Sequence, residues 1–440
     1  MSNASDKKII LNPSRRRFFG QTLALGGAAT VGLGFHPLAT TAMAQAIGGR
    51  RKTLVYVFLR GGNDGLSMVV PTQTGMYQAA YNDNRDATRV DTTLTVAGNQ
   101  HFGLHPACQG LQDLILDGNL AIVHGCGHLD PDTYTRSHFD AQEQVDLGTP
   151  GEQVSNTGWL TRYLETADDA PPQPLFSALV SGGNPPPSVN GWPDVATVDS
   201  ANGFSPNPNG TYEEAHLQLL AEMYNGSGSL DNAVSTAMLA IEEINDLDLS
   251  NYTPAGNVSY RDGNNRTFSG VHADLELAAS VIRSDLGVGV VTIDVGGWDT
   301  HNNQGSAETF GGYYGRIEDL SDALAVFYKD MVGAGYEDDV AVIVQTEFGR
   351  QVRENANRGT DHGLANPMLV LGSRNRIRPG IRGTFPGFDD TPGNAFRPTK
   401  DFRDIMIAVA HGVLDNPGWG GGQSSIFPGY NHGPLAFLLK

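Results

Sequence analysis

Cysteine is scarce in this chain, and internal repeats and long low-complexity tracts are missing. Only Cys108 and Cys126 occur in 440 residues, which excludes a disulfide scaffold. The two could pair after export, or they could lie apart as buried thiols. The one extended apolar segment, Leu23 to Thr40, is interrupted by glycine and threonine. No transmembrane helix is therefore predicted, and the mature chain is not expected to insert stably into a membrane.

Basic side chains are also in the minority, with 29 Lys and Arg against 48 Asp and Glu and a formal net charge of −19. Without the first 44 residues the balance is 24 basic against 47 acidic side chains, or −23. Such a surface argues against nucleic acid and anionic membranes as partners. A solvated acidic face is the usual explanation of this excess, and a cation site is the rarer one.

The amino terminus carries an export pattern. The run Arg15-Arg16-Arg17 precedes a weakly apolar stretch, and Ala42-Met43-Ala44 and Ala44-Gln45-Ala46 both offer a small-residue cleavage site. Residues 1–46 are therefore predicted to be a twin-arginine signal peptide that is recognised by the twin-arginine export machinery. The mature protein is expected in the periplasm or outside the cell.

The remainder, 47–440, alternates buried strands with amphipathic helices. Six strands are predicted, near residues 54, 120, 176, 288, 340 and 367. This order favours an α/β fold, a doubly wound and mostly parallel sheet sandwiched between helices, in a single domain. Residues 183–260 include a Pro-, Asn- and Gly-rich tract and are expected to form an irregular cap.

Several predicted strands end in polar side chains that suit a metal site. Ligands of open parallel sheets bind at the carboxyl ends of the strands, and carboxylate with imidazole is a ligand pair for zinc, manganese and similar ions. In chain order, the side chains at these ends are Asp64, Asp299 and His301, Glu347 and Arg350, and then Asp361 and His362.

Two of the candidate residues have equally ordinary structural explanations. Asp64, in Gly61-Gly62-Asn63-Asp64-Gly65, either faces a ligand or closes an Asx turn after the first strand, and the residues favour neither. Ser137 lies at the start of a predicted helix, where serine is most often an N-cap. The same position would also stabilise an alkoxide or a bound phosphate or sulfate group.

A set of motifs along the chain resembles an uncharacterised exported family, family 1501 of the domains of unknown function. The motifs are FLRGGNDGLS, GLHPA, AIVHG, RSHFDAQE, DTHNNQ, TEFGR and GTDHGLANPMLVLG. That family in turn resembles the alkaline phosphatase and sulfatase superfamily. The resemblance implies an alkaline-phosphatase-like fold in which metal ligands and a Ser or Thr nucleophile gather at the carboxyl edge of the sheet.

The superfamily pattern implies roles position by position. The metal ligands would be Asp64, Asp299, His301, Glu347 and His362, and Ser137 falls roughly at the nucleophile. The residue after Glu347 is Phe348, where the superfamily has a histidine ligand.

The first functional hypothesis is a metal-dependent hydrolase of phosphate or sulfate esters, acting on a small molecule or a polysaccharide. One or two divalent ions, with zinc, manganese and calcium as candidates, would activate Ser137 or a water molecule. Arg136 and Arg350 would bind the ester oxygens, and Asp361 would orient His362. The alternative is a non-catalytic envelope or carbohydrate-binding protein that retains the fold. A mutase or transferase is a weaker third possibility.

Overall fold

The computed structural model describes most of the chain after the amino-terminal segment. The described residues are 49–149, 155–171, 174, 176–198, 213–228, 230–231, 234–235, 238, 252–260, 270–306, 312–420 and 423–440. The predicted signal peptide and its cleavage site lie outside them, as do parts of the predicted cap. Among the described residues, no helix is long and apolar enough to cross a membrane.

The described residues form fourteen strands. They are β1 (Thr53–Leu59), β2 (Val69–Pro71), β3 (Leu94–Val96), β4 (Asn99–Leu104), β5 (Leu120–Gly127), β6 (Ala178–Ser181), β7 (Val195–Val198), β8 (Val290–Val295), β9 (Val340–Thr346), β10 (Asn366–Leu371), β11 (Gly380–Arg382), β12 (Lys400–Asp401), β13 (Trp419–Gly420) and β14 (Gln423–Ser424). Each of the six predicted strands is present, as β1, β5, β6, β8, β9 and β10.

The helices are distributed between these strands. They are α1 (Gly65–Met68), α2 (Gln78–Asn84), α3 (Gln109–Leu116), α4 (His138–Leu147), α5 (Trp159–Thr166), α6 (Glu213–Met223), α7 (Val271–Arg283), α8 (Tyr313–Gly333) and α9 (Phe402–Ile407), which continues as a π-helical turn over Ala408–Val413. Short 3₁₀ turns occupy Pro131–Thr133, Pro187–Val189 and Pro392–Asn394.

Nine of the described strands form one mixed, mostly parallel sheet. Its order is β11-β5-β10-β9-β1-β8-β6-β7, with β12 also paired to β5. Only β10 runs against its neighbours, because it pairs antiparallel with both β5 and β9. The predicted fold class, a mostly parallel sheet covered by helices, is confirmed.

The sheet is covered on both faces, as alternate residues of β1 show. Val55 and Val57 lie in a core formed with α3, α7 and α8. Tyr56 and Phe58 lie in a second core, formed with α5, α9 and the carboxyl-terminal segment. Side chains of a strand alternate between the two faces, so β1 contributes to both layers.

The same alternation settles the question of the two cysteines. Cys108 packs in the first core and Cys126 in the second, so the sheet separates them. Both are free and buried, and burial raises the pKa of both thiols. The disulfide alternative is therefore excluded, and the buried-thiol alternative is the correct one.

Two parts of the chain differ from the sequence-based expectation. Within the segment expected to be an irregular cap, Val195–Val198 form β7, the edge strand of the main sheet beside β6. Strands β2, β3 and β4 form a small antiparallel sheet that the sequence did not predict. These strands are three to six residues long, which is too short for a periodic pattern to stand out.

Strand ends at one edge of the sheet are level with one another. Leu59, at the end of β1, is paired with Val295 of β8 and with Thr346 of β9. Because β10 is antiparallel, its first residue, Asn366, lies at this edge too, and it faces Cys126 near the end of β5. The loops after β1, β5 and β8, and the loop that joins β9 to β10, therefore emerge together.

His124, on β5, has a buried side chain whose protonation links the stability of the core to pH. Its ring is buried against Phe102 and Phe385, at centroid distances of 4.7 and 5.4 Å, and its Nε2 has no hydrogen-bond partner. Burial lowers the pKa of His124 to about 4. In the unfolded chain the same histidine has an ordinary pKa of about 6.5, so it binds a proton at a higher pH than it does in the folded chain.

We expect the contribution of His124 to stability to be complete above about pH 6.5 and to be lost as the pH falls towards 4. The wild-type protein should lose unfolding free energy between pH 8 and pH 5, and in His124→Phe this loss should be smaller by about 2 kcal/mol. Urea unfolding at both pH values measures it, with His216→Phe, at an exposed position of α6, as the control. An unchanged pH dependence in His124→Phe would show that the ring is protonated in the folded state.

Candidate metal centre

Two glycines allow the loop after β1 to lie close to its neighbours. A Cβ on Gly61, whose φ is +123°, would stand 2.5 Å from the backbone nitrogen of Asp299. A Cβ on Gly62, whose φ is +79°, would stand 2.6 Å from the ring of Phe348. Glycine is therefore needed at both positions, both for conformation and for space.

The long loop between β9 and β10 folds back on itself beside the loop after β8. Gln351 N–H donates to the Asp361 carbonyl at 2.8 Å, and Gly363 N–H donates to Gly349 at 2.7 Å. Thr360 N–H donates to the carbonyl of Thr300 at 3.1 Å. These backbone bonds bring the segments of His301 and His362 together.

Three of the five predicted ligands meet at this place. His301 Nε2 lies 3.0 Å from Asp299 Oδ1 and 2.8 Å from His362 Nε2, and His362 Nε2 lies 3.2 Å from Asp299 Oδ1. Asp299 is the open side of the cluster, with a side chain 46% exposed. The hydrogen bond and charge of Arg350, aided by the two histidines, outweigh the effect of partial burial and lower the pKa of Asp299.

A fourth residue, His138, was not predicted as a ligand. It is the first residue of α4, and its Nε2 lies 3.6 Å from Asp299 Oδ2. His138, Asp299 and His362 each offer a ligand atom, and these atoms lie within 4.8 Å of one another. The sequence signal was the motif Arg136-Ser137-His138, which was interpreted as a helix start and a nucleophile position only.

Glu347 lies behind His138 and is not part of the group that meets at Asp299. Its Oε1 accepts hydrogen bonds from His138 Nδ1 at 2.7 Å, from Gly61 N–H at 2.9 Å and from the Gln142 amide at 2.9 Å. Although burial acts to raise the pKa of Glu347, these donors lower it, so the carboxylate is ionised. In the structure the contacts of Glu347 are therefore with His138 and its neighbours, and not with Asp299.

Each of the other two histidines is also held through Nδ1. Asp361 Oδ1 accepts from His301 Nδ1 at 2.9 Å, whereas the sequence predicted that Asp361 would orient His362. His362 Nδ1 instead lies 2.8 Å from the backbone oxygen of Arg136. Burial, followed by the nearby Arg350 and His138, lowers the pKa of His362 and favours the neutral ring that a metal ligand needs.

Asp64 lies apart from the cluster in a buried ion pair. Arg85 Nη2 donates to its Oδ1 at 3.0 Å, and Arg85 Nη1 to its Oδ2 at 2.5 Å. The Ser67 hydroxyl and the Gln304 amide donate to Oδ2 at 2.7 and 2.6 Å. Burial acts to raise the pKa of Asp64, but the charge and hydrogen bonds of Arg85 lower it. The carboxylate is therefore ionised and fully engaged.

The three residues predicted to be catalytic have identifiable structural contacts. Ser137 is the N-cap of α4, with its Oγ 3.5 Å from the Asp140 nitrogen, so the N-cap explanation is realised. Arg136 Nη2 donates to the carbonyls of Pro392 and Gly393 at 3.1 and 3.0 Å.

Arg350 differs from the prediction. Its side chain is completely buried and donates to Asp299 and to the carbonyls of Gly62 and Thr360. It cannot reach ester oxygens in solvent, so its role is to position Asp299 and the surrounding loops.

The donor set fits a divalent ion. Three imidazole nitrogens face the carboxylate of Asp299, those of His301 and His362 towards Oδ1 and that of His138 towards Oδ2. Each imidazole has an oxygen acceptor on its other nitrogen. Such outer partners fix the tautomer and the ring orientation of metal-bound histidines. The fold and the site together define an α/β protein with a candidate His/Asp metal centre at the carboxyl edge of its sheet.

The chain belongs to the family described as "Protein of unknown function (DUF1501)", whose model matches residues 51–408. A comparison with curated proteins finds no match.

Several solved structures have a distant likeness to this chain. A protein in the alkaline phosphatase superfamily from Vibrio parahaemolyticus is 12% identical at a TM-score of 0.36, over 90% of this chain and 75% of that one. The lipoteichoic acid synthase LtaP from Listeria monocytogenes is 11% identical at a TM-score of 0.37, over 89% and 78%. The PsFucS1 sulfatase from Pseudoalteromonas sp. is 10% identical at a TM-score of 0.31, over 98% and 78%. Likenesses this distant do not indicate what the chain does.

A substitution in the Asp64–Arg85 pair tests whether Asp64 stabilises the fold or binds a metal ion, as the sequence predicted. Replacing Asp64 with Asn leaves a buried guanidinium without its counter-charge and should lower the unfolding free energy by about 3–5 kcal/mol. Zinc binding by the folded variant should be unchanged. Denaturant unfolding and zinc titration measure the two effects.

The double variant Asp64→Asn/Arg85→Gln is the matched control, since removing both charges should recover part of the stability. A single variant that keeps its stability and loses the ion would establish Asp64 as a ligand.

Proposed function

We propose that this protein is a metal-dependent hydrolase of phosphate or sulfate esters, from small molecules or polysaccharides. The observation that supports this most directly is the group His138, Asp299, His301 and His362. It lies at the edge of the sheet with Asp299 open to solvent. A divalent ion bound there would polarise an ester and lower the pKa of an oxygen nucleophile.

The residues around the group can prepare a site for an anionic ester. The first turn of α4 has free N–H groups and the positive end of the helix dipole, both of which favour a negative group. Arg136, part-buried at the same helix start, carries a permanent positive charge, and only its Nη2 is engaged by Pro392 and Gly393. We propose that Arg136 binds an ester oxygen.

Ser137 is the proposed nucleophile, with a water molecule as the alternative. Ser137 directly precedes His138 in the sequence, at the start of α4, and the residue is half-buried. The cap contact to Asp140 uses an oxygen lone pair and leaves the O–H as a donor. A nucleophile here would attack an ester whose oxygens face Arg136 and the helix start.

A non-catalytic, carbohydrate-binding protein is the second candidate function. The observation in its favour is the cap contact itself, which accounts for Ser137 without any chemistry.

A pair of Ser137 variants separates these possibilities. Ser137→Ala removes both the hydroxyl and the cap, whereas Ser137→Asn removes the hydroxyl and keeps a capping side chain. If Ser137 is the nucleophile, both variants should lose at least about 1000-fold of kcat on chromogenic phosphate monoesters, phosphodiesters and sulfate esters.

If Ser137 only caps α4, the Asn variant should keep the wild-type rate and the Ala variant should lose about 1 kcal/mol of stability. That outcome implicates a water nucleophile. Absence of turnover by zinc- or manganese-loaded wild-type protein on the whole panel would favour the binding protein.

We also propose export through the twin-arginine route, supported by the order of basic, apolar and small residues in 1–46. Replacing Arg15 and Arg16 with Lys keeps the charge and changes the recognised side chains. The double variant should accumulate inside the cell as uncleaved precursor. Fractionation followed by immunoblotting measures this, with Lys7→Arg and Lys8→Arg as the control. Normal export of the Arg15→Lys/Arg16→Lys chain would contradict the proposal.

A further inference from the structure

We infer that the site takes one transition-metal ion of the zinc type, held by His138, Asp299, His301 and His362. We infer also that Arg85 and Phe348 close the places where a second ion would bind. This deepens the proposed function and rests on it for the location of the ion. Ion binding can nevertheless be measured without any turnover.

The hydrogen bonds of the three imidazoles determine which ring nitrogens can bind an ion. An acceptor that has no hydrogen of its own, whether an ionised carboxylate or a backbone carbonyl, requires the proton to be on Nδ1. Each neutral ring then has its lone pair on Nε2. The three pairs are His138 with Glu347 at 2.7 Å, His301 with Asp361 at 2.9 Å and His362 with the Arg136 carbonyl at 2.8 Å.

The three Nε2 atoms face the carboxylate of Asp299, and His301 Nε2 also lies 2.8 Å from His362 Nε2, so the group needs positive charge. Extra protons supply this charge in the metal-free chain, and a metal ion that displaces them supplies it in the loaded chain. Two atoms bound to one ion at about 2.0–2.2 Å are at most ~4.4 Å apart. Asp299 Oδ1 lies 3.0 Å from His301 Nε2 and 3.2 Å from His362 Nε2, and Asp299 Oδ2 lies 3.6 Å from His138 Nε2, so each of these pairs falls inside that limit. The ligand atoms of His138, Asp299 and His362 lie within 4.8 Å of one another, so binding one ion needs only a small inward shift.

The chemistry of the donors selects the class of ion. Imidazole nitrogens suit zinc, cobalt and related transition metals, whereas calcium takes six to eight oxygen ligands and magnesium retains water. Three nitrogens and one carboxylate therefore favour a zinc-type ion. Calcium, one of the candidates from the sequence, is disfavoured.

A second ion would need further ligands, and the other two carboxylates predicted as ligands, Asp64 and Glu347, are both engaged by hydrogen-bond donors. Asp64 accepts four hydrogen bonds, two of them from the guanidinium of Arg85, which already neutralises its charge inside the protein. Glu347 Oε1 accepts three hydrogen bonds, and the Glu347 side chain is fully buried.

The apolar ring of Phe348 covers the side of the cluster formed by His138 and His362. Its ring is only 3% exposed and packs against His138 and His362 at centroid distances of 5.0 and 4.8 Å. The space above Gly62 is also taken by this ring. Where the superfamily pattern has a ligand, the chain has an apolar support for two imidazoles, and an ion cannot enter on that side.

The test is a metal titration of the full chain. Metal is removed with a chelator, and the protein is titrated with Co²⁺ and followed by visible absorption. The bound Zn²⁺ is counted by elemental analysis after dialysis. We expect one ion per chain, displacement of Co²⁺ by Zn²⁺, and no displacement by millimolar Ca²⁺. Two ions per chain, no bound ion, or displacement by Ca²⁺ would each overturn the inference.

Variants assign the ligands and the positioning residue. His138→Ala, His301→Ala and His362→Ala should each weaken Co²⁺ binding and change its absorption spectrum, whereas His216→Ala, which removes an exposed histidine of α6, should change neither. Glu347→Gln should weaken binding by about 10–100-fold with the spectrum retained, since the ligands stay the same. Circular dichroism of the metal-free variants checks that each is folded.

Unchanged affinity in His138→Ala would overturn the assignment of that ligand. If a variant does not fold, the stoichiometry of the wild-type chain alone still decides between one, two and no ions. The outcomes also separate the two proposals. If the chain binds one ion and hydrolyses no ester, the proposed function is wrong and this inference stands. If the chain binds two ions and hydrolyses an ester, the proposed function stands and this inference is wrong.

Discussion

The buried guanidinium of Arg350 is the contact on which the candidate metal centre depends. It donates to the carbonyls of Gly61 and Gly62 after β1, to that of Trp298 after β8, and to that of Thr360 before β10. It also holds Asp299 at 2.6 Å. One side chain thus joins three loops that are distant in sequence, and its positive charge is offset by carbonyl dipoles and a single carboxylate. Because the guanidinium of Arg350 is buried and donates its hydrogen bonds within the protein, it does not bind a ligand directly.

Much of the fold was accessible from the sequence, because it depends on local periodicity. Buried strands such as β1 and β9 are runs of β-branched and aromatic residues, and both were predicted close to their observed bounds. The direction of β10 was not predicted, since a short apolar run carries no information about its neighbours. Strand β7 was missed for a related reason. It is an edge strand only partly buried, inside a segment whose proline and glycine content indicated a loop.

The site was predictable in its place but not in its pattern of contacts. Asp299, His301 and His362 were singled out because they follow or precede buried strands. The imidazole of His138 was missed because the expected position was sought beside Glu347, in sequence, at Phe348. In the folded chain this imidazole belongs to His138, the first residue of α4, and its ring packs against the ring of Phe348. Glu347 was predicted as a ligand and Asp361 as the partner of His362, whereas Glu347 contacts His138 and Asp361 contacts His301. A sequence does not record which histidine a carboxylate faces.

The antiparallel course of β10 has a consequence for how this family can diversify. Neighbouring parallel strands must be joined by a crossover that spans the sheet and commonly carries a covering helix. Because β9 and β10 run in opposite directions, the segment 347–365 returns at the edge where it began and covers neither face. It contributes to neither of the two cores on the faces of the sheet, although Val352 and Ala365 pack in a smaller apolar cluster. Insertions and substitutions in its exposed part, Ala356 to Arg358, can therefore reshape the surface beside the site while the two cores stay as they are.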